Sequence, residues 1–205
     1  MPRHAEIQCA LSANPYRPRV CAPYSYSMSV HGPGFETLYS CAKGAVASIV
    51  AVKTSSHAVL GAFVSSEWAV QEGDGYYGDG DCFVFSGAAE DNFSMFRSCG
   101  ANTFYQLASA DSLAVGGGNH CALYLDCEGF GGTTGACETF KSPPLVSGTS
   151  ASAAAAAGGE IDFQCSNLEV WGFVPAVSNP LARSRETEMI ASLVQRPQPP
   201  DFGTV

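Results

Sequence analysis

A mainly β fold with an α+β flavour, a sandwich of two antiparallel sheets flanked by short helices, is what this 205-residue sequence predicts. Three observations point to it. From residue 46 onward the chain is a succession of short runs rich in β-branched and aromatic residues. Most of these runs are separated by brief turns bearing Gly, Asn, Asp or Ser, whereas parallel neighbours need crossovers of about a dozen residues or more. Finally, 46% hydrophobic residues, only 14% charged residues and 22 glycines describe a turn-rich globular body with enough apolar material for a core.

Taken in order, residues 1–23 carry Pro2, Pro15, Pro18 and Pro23 without a sustained period, which predicts an extended arm laid over the domain. In GFETLYSCAKG, Phe35, Leu38, Tyr39 and Ala42 fall at helical spacing and Gly44 stands as the stop. Strands are predicted over 46–54, 58–65, 81–87, 92–98, 103–109, 112–117, 121–126 and 161–174. The small residues of SGTSASAAAAAGGE (147–160) bury little area, so a disordered low-complexity loop is expected there. The body therefore spans 24–175. In the tail, 176–205, Leu181, Met189, Ile190, Leu193 and Val194 share one face of a helix predicted over 181–196, which PQPP ends.

The net charge is -9, and its placement is uneven: from Thr54 to Phe140 the only Lys or Arg is Arg97, among a dense set of Asp and Glu. Such a field repels phosphate backbones and anionic lipid, so neither nucleic acid nor a membrane surface is expected as a direct partner, and a basic protein surface is. No apolar run approaches the ~20 residues of a spanning helix, and the start lacks the apolar middle of a secretion signal. A cytoplasmic protein without direct membrane insertion follows, possessing nine scattered cysteines that read as reduced thiols. The sequon at Asn92-Phe93-Ser94 is then a chance match.

The stretch SLAVGGGNHCALYLD poses the enzymatic question directly. A phosphate loop presents backbone N–H groups at a helix start, yet Gly116-Gly117-Gly118 leads into another strand, and no Lys follows until Lys141. Close backbone approach, or positive φ at a turn, explains the glycines better. Cys121, Cys127 and Cys137 lack zinc-site spacing, and Asp74, Asp79 and Asp81 lack a calcium-loop register, so no metal is assigned. A hydrolytic set of Cys121, His120 and Asp126 is the remaining catalytic option; no nucleophile motif accompanies it.

Six stretches in this order, SYSMSVHGPGFETLYS (25–40), VLGAFVSSEW (59–68), YYGDGDCFVF (76–85), SLAVGGGNHCALYLD (112–126), GACETFKSPPL (135–145) and LEVWGF (168–173), resemble the TLDc domain of oxidation-resistance proteins. The resemblance implies a TLDc-like two-sheet sandwich, no catalytic residues and no cofactor. It also implies a protein-interaction module in oxidative-stress resistance that binds and regulates the vacuolar proton-pumping ATPase. A scaffold subunit of a cytoskeletal or ciliary assembly is the alternative, and a thiol antioxidant or Cys/His enzyme the third reading. Asp81, Asp126, Glu138 and Glu169 become the candidate motif or interaction residues. Gly78, Gly80, Gly116, Gly117 and Gly118 become conformational requirements, and Phe83, Phe85, Phe140 and Trp171 become core. The two carboxylates Glu138 and Glu169 are open to a second role, accepting hydrogen bonds from loop amides. Asp81 in place of the usual Glu, Pro33 and the alanine-rich stretch 151–157 depart from the family's pattern. With no accompanying domain type in the sequence, a nearly stand-alone form is expected.

Overall fold

A computed structural model describes residues 19–21, 25–71, 75–87, 93–126, 131–146 and 159–175. The chain divides into two compact units, Met1–Pro175 and Ala176–Val205, and every described element lies in the first. The low-complexity stretch 147–158, the helix expected over 181–196 and most of the N-terminal arm lie outside the described residues.

The fold is mainly β and antiparallel throughout its described pairings. Two short strands, β1 (Arg19–Cys21) and β2 (Tyr26–Ser27), precede a one-turn helix α1 (Met28–His31) and the two-turn helix α2 (Phe35–Ala42). Helix α2 forms where the apolar spacing puts it, burying Phe35, Leu38 and Ala42 on one face. Then come β3 (Ala47–Thr54), β4 (Val59–Val64), β5 (Phe83–Gly87), β6 (Ser94–Arg97), β7 (Gln106–Ala108), β8 (Ser112–Val115), β9 (Leu123–Asp126), β10 (Gly131–Thr134) and β11 (Ile161–Pro175). Hydrogen bonds link them in the order β6-β5-β4-β3-β11-β10-β9-β8-β7.

The 15-residue β11 sits in the middle of that path. Its first four residues pair with β10, and from Cys165 to Phe173 it pairs with β3. The change falls at a bulge between Cys165 and Asn167. There the Ser166 hydroxyl lies 2.9 Å from the Lys53 carbonyl oxygen and 3.1 Å from that of Thr54, and Ser55 N–H donates to Gln164 O, so the backbone freed by the bulge finds partners. Strands β1 and β2 pair with the second half of β11, Cys21 opposite Phe173 and Ser27 opposite Glu169.

Side-chain alternation sorts the strands into two faces. Val50, Val52, Leu60, Ala62, Val64, Val84, Leu168 and Val170 point into a main core that also receives Leu113, Val115, Leu123, Leu125, Phe140 and Phe163 from the other arm of the sheet. Trp68 and the apolar face of α2 complete it. Ala47, Ile49, Ala51, Phe63, Phe83, Phe85 and Phe173 form a second cluster. Thus Phe140 belongs to the main core, whereas Phe83 and Phe85 belong to the second. Trp171, expected to fill the core, is instead half-buried against the second cluster, where Phe173, two residues on, is the aromatic of β11 shut away from solvent.

Candidate functional site

Three segments converge on the Gly116-Gly117-Gly118 run after β8: the loop leading into β7, the turn after β10, and Tyr76. Gly116 N–H donates to Tyr105 O at 3.0 Å and Gly117 N–H to the Thr139 hydroxyl at 2.9 Å. These amides bind the protein itself, so they form no anion cradle. Gly116 and Gly118 have φ of 80° and 107°, a region costly for side chains. Space is equally short, because a Cβ at Gly116 would lie 2.5 Å from Cys137 Sγ and one at Gly117 would lie 2.8 Å from Phe104 Cβ.

Thr139 is the hub. It is wholly buried, accepts from Gly117, and its own hydroxyl proton faces Asn102 Oδ1 at 2.8 Å, Gly117 O at 3.3 Å and Phe104 O at 3.4 Å. Its carbonyl accepts Cys99 N–H at 3.0 Å. Tyr76 donates to Gly116 O at 3.3 Å and its ring lies 5.0 Å from that of Phe104. Around this closed knot Glu138, Cys99 and Phe104 are exposed, with the Glu138 side chain lying against Gly118. None of Thr139, Asn102, Phe104 or Tyr76 is marked by periodicity, since a single buried threonine leaves no pattern.

The acidic loop before β5 flanks the other side of β7. Tyr77 and Gln106 exchange backbone hydrogen bonds of 2.9 and 3.1 Å, Gly78 packs against Tyr105 and Gln106, and Gly80 approaches the Tyr105 hydroxyl. Ser65 Oγ accepts Asp79 N–H and Asp79 Oδ1 accepts Asp81 N–H, which holds the exposed Asp79 and Asp81 in a defined turn. Asp79, Asp81 and Glu138 therefore rim β7 from two sides.

The remaining candidates lie elsewhere. Asp126 ends β9 opposite Ser112. It stands five residues beyond Cys121, on the order of 15 Å along an extended chain. His120 instead meets Glu160, Nδ1 to Oε1 3.3 Å. Strand β9 thus carries Asp126 away from Cys121, and His120 has Glu160 beside it. Glu169 is buried in β11, on the face it shares with Trp171 and Phe173, and accepts from Asn167 Nδ2 at 3.2 Å. Among the described residues no group of three or more His, Cys, Asp and Glu could hold a metal ion, and no helix is long and apolar enough to cross a membrane.

Cys41, Cys82, Cys99, Cys121, Cys137 and Cys165 are free thiols. Burial raises the pKa of Cys82 and Cys121, and pushes Cys165 up to about 11. A thiol that keeps its proton longer when folded loses its stabilising contribution as pH rises, here from the ordinary value of 9 to about 11 for Cys165. Among the described thiols, iodoacetamide at pH 8 is expected to label exposed Cys99 first, with Cys82, Cys121 and Cys165 at least ~10-fold slower. Timed quenching and peptide mass spectrometry reads this directly, and Cys121 outrunning Cys99 would contradict it.

Comparison with known proteins adds an independent line. Residues 6–174 match the model of a family described as TLDc domain. The chain is similar to oxidation resistance protein 1 of Bos taurus, 34% identical over 150 residues, which is 72% of this chain and 15% of that protein. The Homo sapiens protein of that name is 33% identical over 150 residues, 72% of this chain and 15% of its own length. TBC1 domain family member 24 of Xenopus tropicalis is 26% identical over 209 residues, covering 78% of this chain and 35% of that protein. The chain therefore spans well under two thirds of these relatives.

Proposed function

The chain belongs to the TLDc domain family, and from that premise we propose that it is a protein-interaction module of oxidative-stress resistance, without catalytic chemistry of its own. We read the two arms of its sheet as facing layers of a sandwich, because side chains of both feed one apolar cluster. The observation that carries the functional reading is the closed glycine loop: its amides are taken up internally, while Asp79, Asp81, Glu138 and Phe104 face outward around β7. The raised pKa of the Cys121 thiol and the contact of His120 with Glu160 support a reading without an active site.

The partner placed first is the vacuolar proton-pumping ATPase, met in the cytoplasm through a basic surface complementary to this rim. Capture by the full chain from native lysate should recover ATPase subunits, and raising salt from about 0.05 to 0.3 M should cut recovery several-fold. The Asp81→Lys, Glu138→Lys double variant should do the same at low salt. Recovery of cytoskeletal or ciliary proteins without ATPase subunits would favour the scaffold reading instead, and salt-insensitive capture would remove the acidic rim from the interface.

A further inference from the structure

The hydrogen-bonded path has two ends, β6 and β7, and they are not equally closed. At β7, Tyr77 takes up the outward N–H and C=O of Gln106. At β6 the direction of each backbone group follows from one bond. Ser98 N–H donates to Cys82 O at 3.3 Å, and Arg97, Phe96, Met95 and Ser94 sit opposite Phe83, Val84, Phe85 and Ser86. Antiparallel pairs alternate, so Ser94, Phe96 and Ser98 bond toward β5, while Phe93, Met95 and Arg97 turn their N–H and C=O groups away from it. Cys99 continues that outward series, and its N–H meets Thr139 O at 3.0 Å. Among the described residues no strand pairs with the outward side of β6.

We propose that this side pairs with β6 of a second copy of the chain, antiparallel, about a two-fold axis through Met95. Three features favour a second copy over an unrelated strand. The register is self-complementary. With Met95 opposite its own counterpart, Arg97 falls opposite Phe93 of the other copy, and Arg97 already lies over an aromatic ring, 5.9 Å from the centre of Phe83. Next, Met95 and Phe93 rim the second apolar cluster, the Phe93 ring lying 5.5 Å from that of Phe85 and the residue 48% exposed. Opposed residues of a pair share a face, so the two apolar rims meet and both Phe93 rings lose exposure.

The third feature is charge. Arg97 is the only Lys or Arg between Thr54 and Phe140, so two acidic bodies approach where each is least negative. The register also keeps the two arginines four residues apart, about 13 Å along the strands, so they do not oppose each other. Strand β6 contains neither Pro nor Lys and keeps an unbroken register with β5, and so lacks three of the devices that guard a sheet edge. Its four residues limit the contact, which makes the dimer weak and dependent on concentration.

Because each chain carries a net charge of -9, salt should tighten this dimer, whereas it weakens capture at the acidic rim; the two readings therefore fail separately. In sedimentation velocity of the full chain from about 5 to 300 μM, the average mass should rise with concentration, and earlier in ~0.5 M than in ~0.05 M NaCl. Met95→Pro removes an outward N–H, which an edge strand tolerates; far-UV circular dichroism should be unchanged and the dissociation constant at least ~10-fold higher. Phe93→Lys, at an exposed position, should weaken the dimer likewise and decides the matter if the proline variant fails to fold. Hydrogen exchange in the 93–98 segment should slow several-fold as the unaltered chain is concentrated. A chain that stays monomeric throughout overturns the proposal. So does a dimer that survives both variants, or one that protects other segments and spares 93–98.

Discussion

Replacing Gly116 by Ala is expected to lower stability by about 3 kcal/mol. Two terms add. The added methyl would meet Cys137 Sγ and, at 2.9 Å, Phe140 Cε2, both in the packed interior, and overfilling a core costs ~1–3 kcal/mol. At φ of 80° a Cβ adds ~1–2 kcal/mol. For a body near 150 residues this lowers Tm by roughly 6–12 °C. Gly44 supplies the control. Its φ is 82°, but a Cβ there would meet nothing within 4 Å. Gly44→Ala should therefore cost only ~1–2 kcal/mol. Urea denaturation followed by tryptophan fluorescence ranks the two, and a smaller loss at Gly116 than at Gly44 would refute the close-approach account of the loop.

Trp68→Ala should be more damaging, about 3–5 kcal/mol. Trp68 lies beyond β4, is 2% exposed, stacks 6.4 Å from the Tyr39 ring of α2 and donates its indole N–H to the Ser48 hydroxyl at 3.0 Å. It joins helix, strand and loop in one contact. Truncation leaves a cavity among rigid neighbours and a buried hydroxyl without its donor. Trp68→Phe keeps most of the buried area and loses the hydrogen bond, so ~1–2 kcal/mol is expected. Because the chain has only two tryptophans, that variant also leaves Trp171 as the sole tryptophan, reporting from the second cluster under excitation that spares tyrosine. Equal losses for Ala and Phe would show that the hydrogen bond, and not packing, dominates.

These residues also mark what sequence reasoning reaches. The family match and the antiparallel, mainly β character were legible because alternation and ordered motifs both register there. Helix α2 was placed within its predicted bounds by four apolar residues. By contrast, β10 is Gly-Gly-Thr-Thr and has no apolar alternation to detect; its partners β9 and β11 create it. Strands β1 and β2 hide in a proline-rich start for the same reason, being stabilised by β11 far along the chain. Predicted strands over 92–98, 103–109 and 121–126 shorten to Ser94–Arg97, Gln106–Ala108 and Leu123–Asp126, since propensity runs past the last available partner. At the site, the glycine run was readable as close packing, but the Thr139 hub depends on contacts between segments more than 20 residues apart.

Strand β11 has a consequence for how the body comes into being. It is the last described strand to be synthesised, yet it occupies the centre of the hydrogen-bonded order. During translation β3 and β10 must wait on the ribosome without their axial neighbour, and neither arm can be finished before β11 emerges. A premature stop between Thr134 and Ile161 would leave two unjoined half-sheets, each with a bare inner edge open to aggregation.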